Sequence, residues 1–177
     1  MSKLSLAEDV LFFHSVLFNK AKISLESLRQ LCLEYFGESI LLTHPFFPMK
    51  QYYSKEMGSE DQLERVFFFY PKKASRESLV AMKTLSTELE NKYSNNGQRI
   101  FNLDSGYISK DQVLLATGKP YSHRIYLAGG VYGELTYRYC GKSFEKLDWT
   151  YPDYSHPEII QKFNWLREVH FTRNLLD

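Results

Sequence analysis

Cysteine is nearly absent. Cys32 and Cys140 are the only two among 177 residues; they lie far apart without a Cys-x-x-Cys partner, which excludes a disulfide framework and a cysteine-rich zinc site. An excess of charge is missing too. The 22 Lys+Arg and 21 Asp+Glu leave a formal net charge of +1, whereas a sequence-blind DNA binder neutralises phosphates with a large basic surplus. No apolar run approaches the ~20 residues that span a bilayer, so no membrane partner is expected. No repeat, low-complexity tract or Gly/Ser-rich linker divides the chain, and a single domain over residues 1–177 is expected. Glu8 and Asp9 precede the apolar run Val10 to Phe18, which is not the pattern of a secretory signal, so a cytoplasmic protein is expected. His14, His44, His123, His156 and His170 show no paired spacing and hard-metal carboxylates do not cluster, so neither a metal nor a cofactor is expected.

What the chain has is aromatic mass, with 13 Tyr and 13 Phe. Val10 to Phe18 is β-rich and apolar on both faces, which predicts a central strand. Ser24 can cap a helix in which Leu25, Leu28, Leu31, Cys32, Tyr35 and Phe36 recur at helical spacing, and Gly37 ends it. Ser39 to Thr43 and Leu63 to Tyr70 read as strands. A second helix opens at Ser75 with Leu79, Met82, Leu85 and Leu89 along one face, and Asn95-Asn96-Gly97 stops it. Arg99 to Leu103 and Val113 to Ala116 are further strands, and the prolines Pro45, Pro48, Pro71, Pro120, Pro152 and Pro157 all fall where elements should end. The tail from Pro157 to Leu176 reads as a helix. The order strand–helix–strand–strand–helix–strand predicts an α+β fold with a ferredoxin-like split βαβ core, extended by a C-terminal β-hairpin and a terminal helix on a mostly antiparallel sheet.

The hairpin, His123 to Leu127 and Val131 to Tyr139, can be registered by alternation. Ile125, Leu127, Val131 and Leu135 are apolar at odd positions, while Arg124, Tyr126, Tyr132, Glu134 and Thr136 occupy even ones. Opposed residues share a face, and a three-residue loop with Gly130 as its left-handed residue keeps the faces separate. That register sets Leu127 opposite Val131, Tyr126 opposite Tyr132 and Arg124 opposite Glu134. His123, next to Arg124, then points to the other face as a partly buried structural histidine.

Three blocks stand in order: Arg99-Ile-Phe-Asn-Leu-Asp-Ser-Gly-Tyr107, Val113-Leu-Leu-Ala-Thr-Gly-Lys119 and Ser122-His-Arg-Ile-Tyr-Leu127. With Tyr52-Tyr53, Glu56-Met57-Gly58, Glu134 with Thr136, and Trp149-Thr-Tyr-Pro-Asp-Tyr154, the chain resembles the bacterial proteins grouped as domain of unknown function 4416. Two departures from that pattern stand out. Ser105 stands where those proteins usually have Pro, and Lys50-Gln51 stands where a Thr and a polar residue are expected. The resemblance implies no established activity, and a GTP-binding label carried by some relatives lacks its motif here. Ala116-Thr-Gly-Lys-Pro120 has neither the first Gly, nor the hydroxyl residue after Lys, nor a following helix.

The candidate chemistry gathers on one face. Arg124 would clamp an anionic group, and Glu134 or Asp104, the latter in a tight turn at a strand end, would act as acid/base or hydroxyl ligand. Lys119, Tyr107, Tyr126, Tyr132 and Thr136 would complete the ligand surface. Tyr52, Tyr53 and Glu56 form one aromatic–acidic loop, and Trp149, Tyr151, Asp153 and Tyr154 a second, that would wall it. Binding of a small anionic or nucleotide-like molecule, with or without a reaction, is the reading these residues favour. RNA or single-strand binding through the aromatic sheet and a protein-interaction module without chemistry are the alternatives. Oligomeric state is not legible.

Overall fold

A computed structural model describes residues 3–44, 49–94 and 97–172. Pro45 and Pro48, the Asn95-Asn96 helix stop and the end of the tail lie outside the described residues. The elements are β1 (Leu11–Asn19), α1 (Leu25–Phe36), β2 (Ile40–Thr43), α2 (Lys50–Met57), β3 (Leu63–Phe69), α3 (Ser78–Lys92), β4 (Phe101–Ile108), β5 (Gln112–Thr117), β6 (Arg124–Ala128), β7 (Val131–Cys140), β8 (Ser143–Lys146) and α4 (Pro157–Arg167). The class is α+β, built on one 8-stranded sheet in the order β2-β3-β1-β4-β5-β7-β6, with β8 also pairing β7. The strand pairings are antiparallel. This sheet runs well beyond the four-stranded core expected from element order, because β5, β7 and β6 continue it without a break.

All nine residues of β1 are buried, since helices cover both of its faces. Phe12, Val16 and Phe18 pack with Leu28, Leu31 and Cys32 of α1 and with Leu79 and Leu89 of α3. Phe13 packs on the other side with Phe67, Phe69 and Phe163 of α4, and Leu17 meets Met57 of α2. Within the first layer His14 is fully buried, with Nδ1 2.7 Å from Tyr70 Oη and Nε2 2.9 Å from Ser86 Oγ and 3.1 Å from Ser105 Oγ. Ser24 Oγ accepts from Ser27 N at 3.0 Å and Gly37 takes φ 91° to end α1, as its capping chemistry requires. Pro157 opens α4, where a missing N–H costs nothing.

Three local expectations change. Residues 50–57, read as loop, form α2, so Tyr52, Tyr53 and Glu56 sit on a helix. Asp104-Ser-Gly-Tyr107 is not a turn but lies inside β4, with Asp104 opposite Ser15 and Gly106 opposite Phe13. Gly106 is required by packing, since a Cβ there would lie 2.6 Å from the Leu114 carbonyl oxygen and 2.7 Å from Phe13 Cζ. In the hairpin, Arg124 does oppose Glu134 and Tyr126 opposes Tyr132, but a shift after Tyr126 brings Ala128, not Leu127, opposite Val131.

Candidate functional site

The enclosed face of the hairpin is the polar one. Glu134 is 2 % exposed, whereas Ile125 is 73 % and Leu127 39 % exposed. The cause is long-range. On the even face, α2 and the segment before α4 fold over the sheet, while α3 stops short of covering Ile125 and Leu127 on the other side. That covering segment is fastened to β7 by side chains: Thr150 Oγ1 donates to the Thr136 carbonyl at 2.6 Å, Trp149 Nε1 to Leu135 at 2.7 Å, and Tyr137 Oη to Tyr154.

Between the sheet and this cover lies a cavity of about 60 Å³, walled by Tyr53 of α2, Arg65 of β3, Asp104 of β4, Glu134 of β7, and Tyr151 and Asp153 of the cover. Arg65 donates to Asp104 Oδ2 at 3.4 Å and pairs with Asp153 through its other terminal nitrogen. Its guanidinium also lies over the Tyr154 ring, 5.5 Å from the centroid. Arg124 Nε donates to Glu134 Oε2 at 2.7 Å, Nη1 to the Lys119 carbonyl at 3.0 Å and Nη2 to Tyr151 Oη at 2.9 Å. Three of the five guanidinium N–H donors are therefore engaged within the protein. His123 Nε2 stands 3.0 Å from the same Glu134 oxygen and its ring stacks on Trp149 at 4.8 Å.

Three carboxyl groups, Asp104, Glu134 and Asp153, face two guanidinium groups, Arg65 and Arg124. Burial raises the Tyr53 hydroxyl above its ordinary value, with the Asp104 carboxylate adding to it. Tyr151 is raised by burial and then by Glu134. The Arg124 guanidinium is raised too: burial is the largest single influence and works against its charge, but the hydrogen bond and charge of Glu134, with Tyr151, together outweigh it. These tyrosines are neutral hydroxyls across the physiological range. Two carboxylate oxygens, Glu134 Oε1 and Asp153 Oδ1, are buried without a hydrogen-bond partner.

Of the residues expected at the site, Asp104, Glu134 and Asp153 line the cavity, and Arg124 and the Lys119 carbonyl brace it from the edge. Tyr107 does not belong: it packs with Phe12 on the opposite face of the sheet, under Arg76. Glu56 turns away to Arg99, with 2.5 Å between Oε2 and Nη2. Tyr52 is exposed beside Tyr53. Tyr126 and Tyr132 pack on each other along the hairpin, Thr136 is buried under the cover, and Trp149 serves as a stacking wall for His123 rather than a lining group. His123 is not on the other face, because it precedes β6 and strand alternation does not extend to it.

Tyr53, Tyr151 and Tyr154, from the two expected aromatic–acidic segments, also line the cavity, and Arg65 is an addition. The signal for Arg65 was present in the sequence: a single cation inside the strand Leu63-Glu-Arg-Val-Phe-Phe-Phe69 has to find buried partners. Elsewhere, His44, His156 and Glu158 come together although their spacing gave no hint, their ligating atoms lying within 4.8 Å of one another. No helix among the described residues is long and apolar enough to cross a membrane.

Fold and site together define an α+β protein whose polar cavity lies between an extended antiparallel sheet and a side-chain-fastened cover. The chain belongs to the family described as Domain of unknown function (DUF4416), whose model matches residues 8–170. No curated protein and no solved structure matches it.

Proposed function

We propose that the chain binds a small nucleotide-like or sugar-like ligand over the cavity, directing hydroxyl or amino donors at Glu134 and Asp153 and leaving any anionic group at the mouth. The observation that carries this is the Glu134 carboxylate, 2 % exposed yet with Oε1 unpartnered on the cavity wall. A buried polar atom without a partner costs about 1–3 kcal/mol, more when charged, and a donor-bearing guest would recover it. A volume near 60 Å³ takes a few waters or one functional group, since a water needs roughly 10–15 Å³ by the same measure. The rest of a ligand would therefore lie across the opening, beside the exposed Lys119 and the two remaining Arg124 N–H groups. The unpartnered carboxyl oxygens on its wall favour donors inside the cavity rather than a phosphate. In this reading Glu134 and Asp104 are the candidate acid/base groups.

The finer fold description is part of the proposal. A ferredoxin-like split over the first four strands is supported by α1 and α3 lying on one face of the β2-β3-β1-β4 segment. RNA binding draws less support, because helices cover most of both sheet faces. Docking of another protein is favoured by one observation, the exposed Ile125 and Leu127 on the edge strand β6.

The test is a thermal-shift screen of nucleotides, sugar phosphates, sugars and small amines against the purified chain and its Glu134→Gln variant. A melting-temperature rise with one ligand class, abolished in the variant, is the expected result. A wild-type protein indifferent to all four classes, or a rise that persists undiminished in Glu134→Gln, overturns the reading.

A further inference from the structure

We propose that His44, His156 and Glu158 form a binding site for a divalent transition metal of the zinc type, separate from the cavity. His44 follows β2 directly, His156 is the N-cap of α4 and Glu158 lies in the first turn of that helix. The fold thus brings together, from distant parts of the chain, two imidazoles and a carboxylate. That is the donor set of three-ligand zinc sites that keep a fourth position open.

The geometry is close to what a metal requires. His44 Nε2 is 2.8 Å from Glu158 Oε2, the two rings stand 4.7 Å apart between centroids, and the three ligating atoms lie within 4.8 Å of one another. Ligands about 2.0–2.1 Å from a tetrahedral centre are roughly 3.3 Å from each other, so small side-chain rotations suffice. In that arrangement the metal takes the place of the direct contact between His44 Nε2 and Glu158 Oε2. The Glu158 side chain is 63 % exposed while that of His44 is 5 % exposed, so the site is anchored on the protein side and open to solvent on the other.

Two features limit its strength. The N-terminal end of α4 carries a positive field, and Lys162 lies on the same helix with its Nζ donating to the Thr43 carbonyl. Weaker binding than at a closed structural site is expected. Bound metal would join the edge strand β2 to α4 and raise the stability of the whole chain by mass action.

The experiment titrates zinc into the chelator-treated chain, with calorimetry for stoichiometry, melting for linkage, and cobalt as a spectroscopic stand-in. His156→Asn keeps a good helix cap and Glu158→Gln alters only an exposed head group, so both variants should fold. One zinc per chain is expected, with a melting-temperature rise of about 5–10 °C at roughly 100 times the dissociation constant. Both effects, and the visible cobalt bands, should fall at least tenfold in affinity in each variant. Binding of no zinc by the wild type, or the same binding in His156→Asn and Glu158→Gln, overturns the proposal. Since Glu134→Gln leaves these ligands untouched, its zinc response should equal that of the wild type.

Discussion

Arg124 and Glu134 face each other across β6 and β7 with 2.7 Å between Nε and Oε2, and the carboxylate is the more deeply buried partner. Removing the arginine therefore strands a charge rather than exposing one. Arg124→Ala should lose about 3 kcal/mol in urea unfolding, because breaking a buried pair leaves an uncompensated ion. A double variant, Arg124→Met with Glu134→Leu, should regain most of that loss.

Acid should act through His14. Burial, assisted by Lys83, lowers its pKa from 6.5 to about 3. The unfolded chain then binds the proton first, so stability present above pH 6.5 is lost progressively as pH falls from there toward 3. The slope is up to about 1.4 kcal/mol per pH unit. Glu90, whose carboxyl burial raises, acts in the opposite sense. The readout is therefore the difference between wild type and His14→Gln, whose unfolding free energy should depend less steeply on pH in that window.

Two glycines make a paired test of packing. Gly106→Ala would press a Cβ into the Leu114 carbonyl and should cost about 2 kcal/mol or more. Gly118, with nothing within 4 Å of its virtual Cβ and no positive φ, should accept alanine with a small gain of about 0.4–1 kcal/mol. Denaturant midpoints of both variants decide it.

The cysteines should differ in reactivity. Burial pushes the Cys32 thiol up to about 11, while Cys140 is exposed. A thiol reagent should modify one equivalent rapidly in the native protein and a second only after unfolding.

Where local chemistry determines structure, the sequence was readable. Ser24 and Gly37 delimit α1, the apolar run predicts β1, and alternation with a glycine turn places Arg124 opposite Glu134. The sequence marks 149–154 as a wall of the face this pair occupies, but Ile125 and Leu127 look like core on the other face, and only the packing of that distant segment leaves them exposed and closes over Glu134. Helix α2 escaped notice because Lys50–Met57 is short and polar and draws its burial from Leu17 and Leu63. Likewise His44 and His156 are joined only by the docking of α4 against β2, which no spacing rule encodes.

The three side-chain fastenings between residues 149–154 and β7 have a mechanical consequence. A guest that widened the gap would have to strain two bonds held by carbonyls of the strand that presents Glu134, and a third donated by its Tyr137 hydroxyl. Entry and grip are thereby geared to one β-segment, and a tight occupant would be felt as slower amide exchange along β7 before any change of shape.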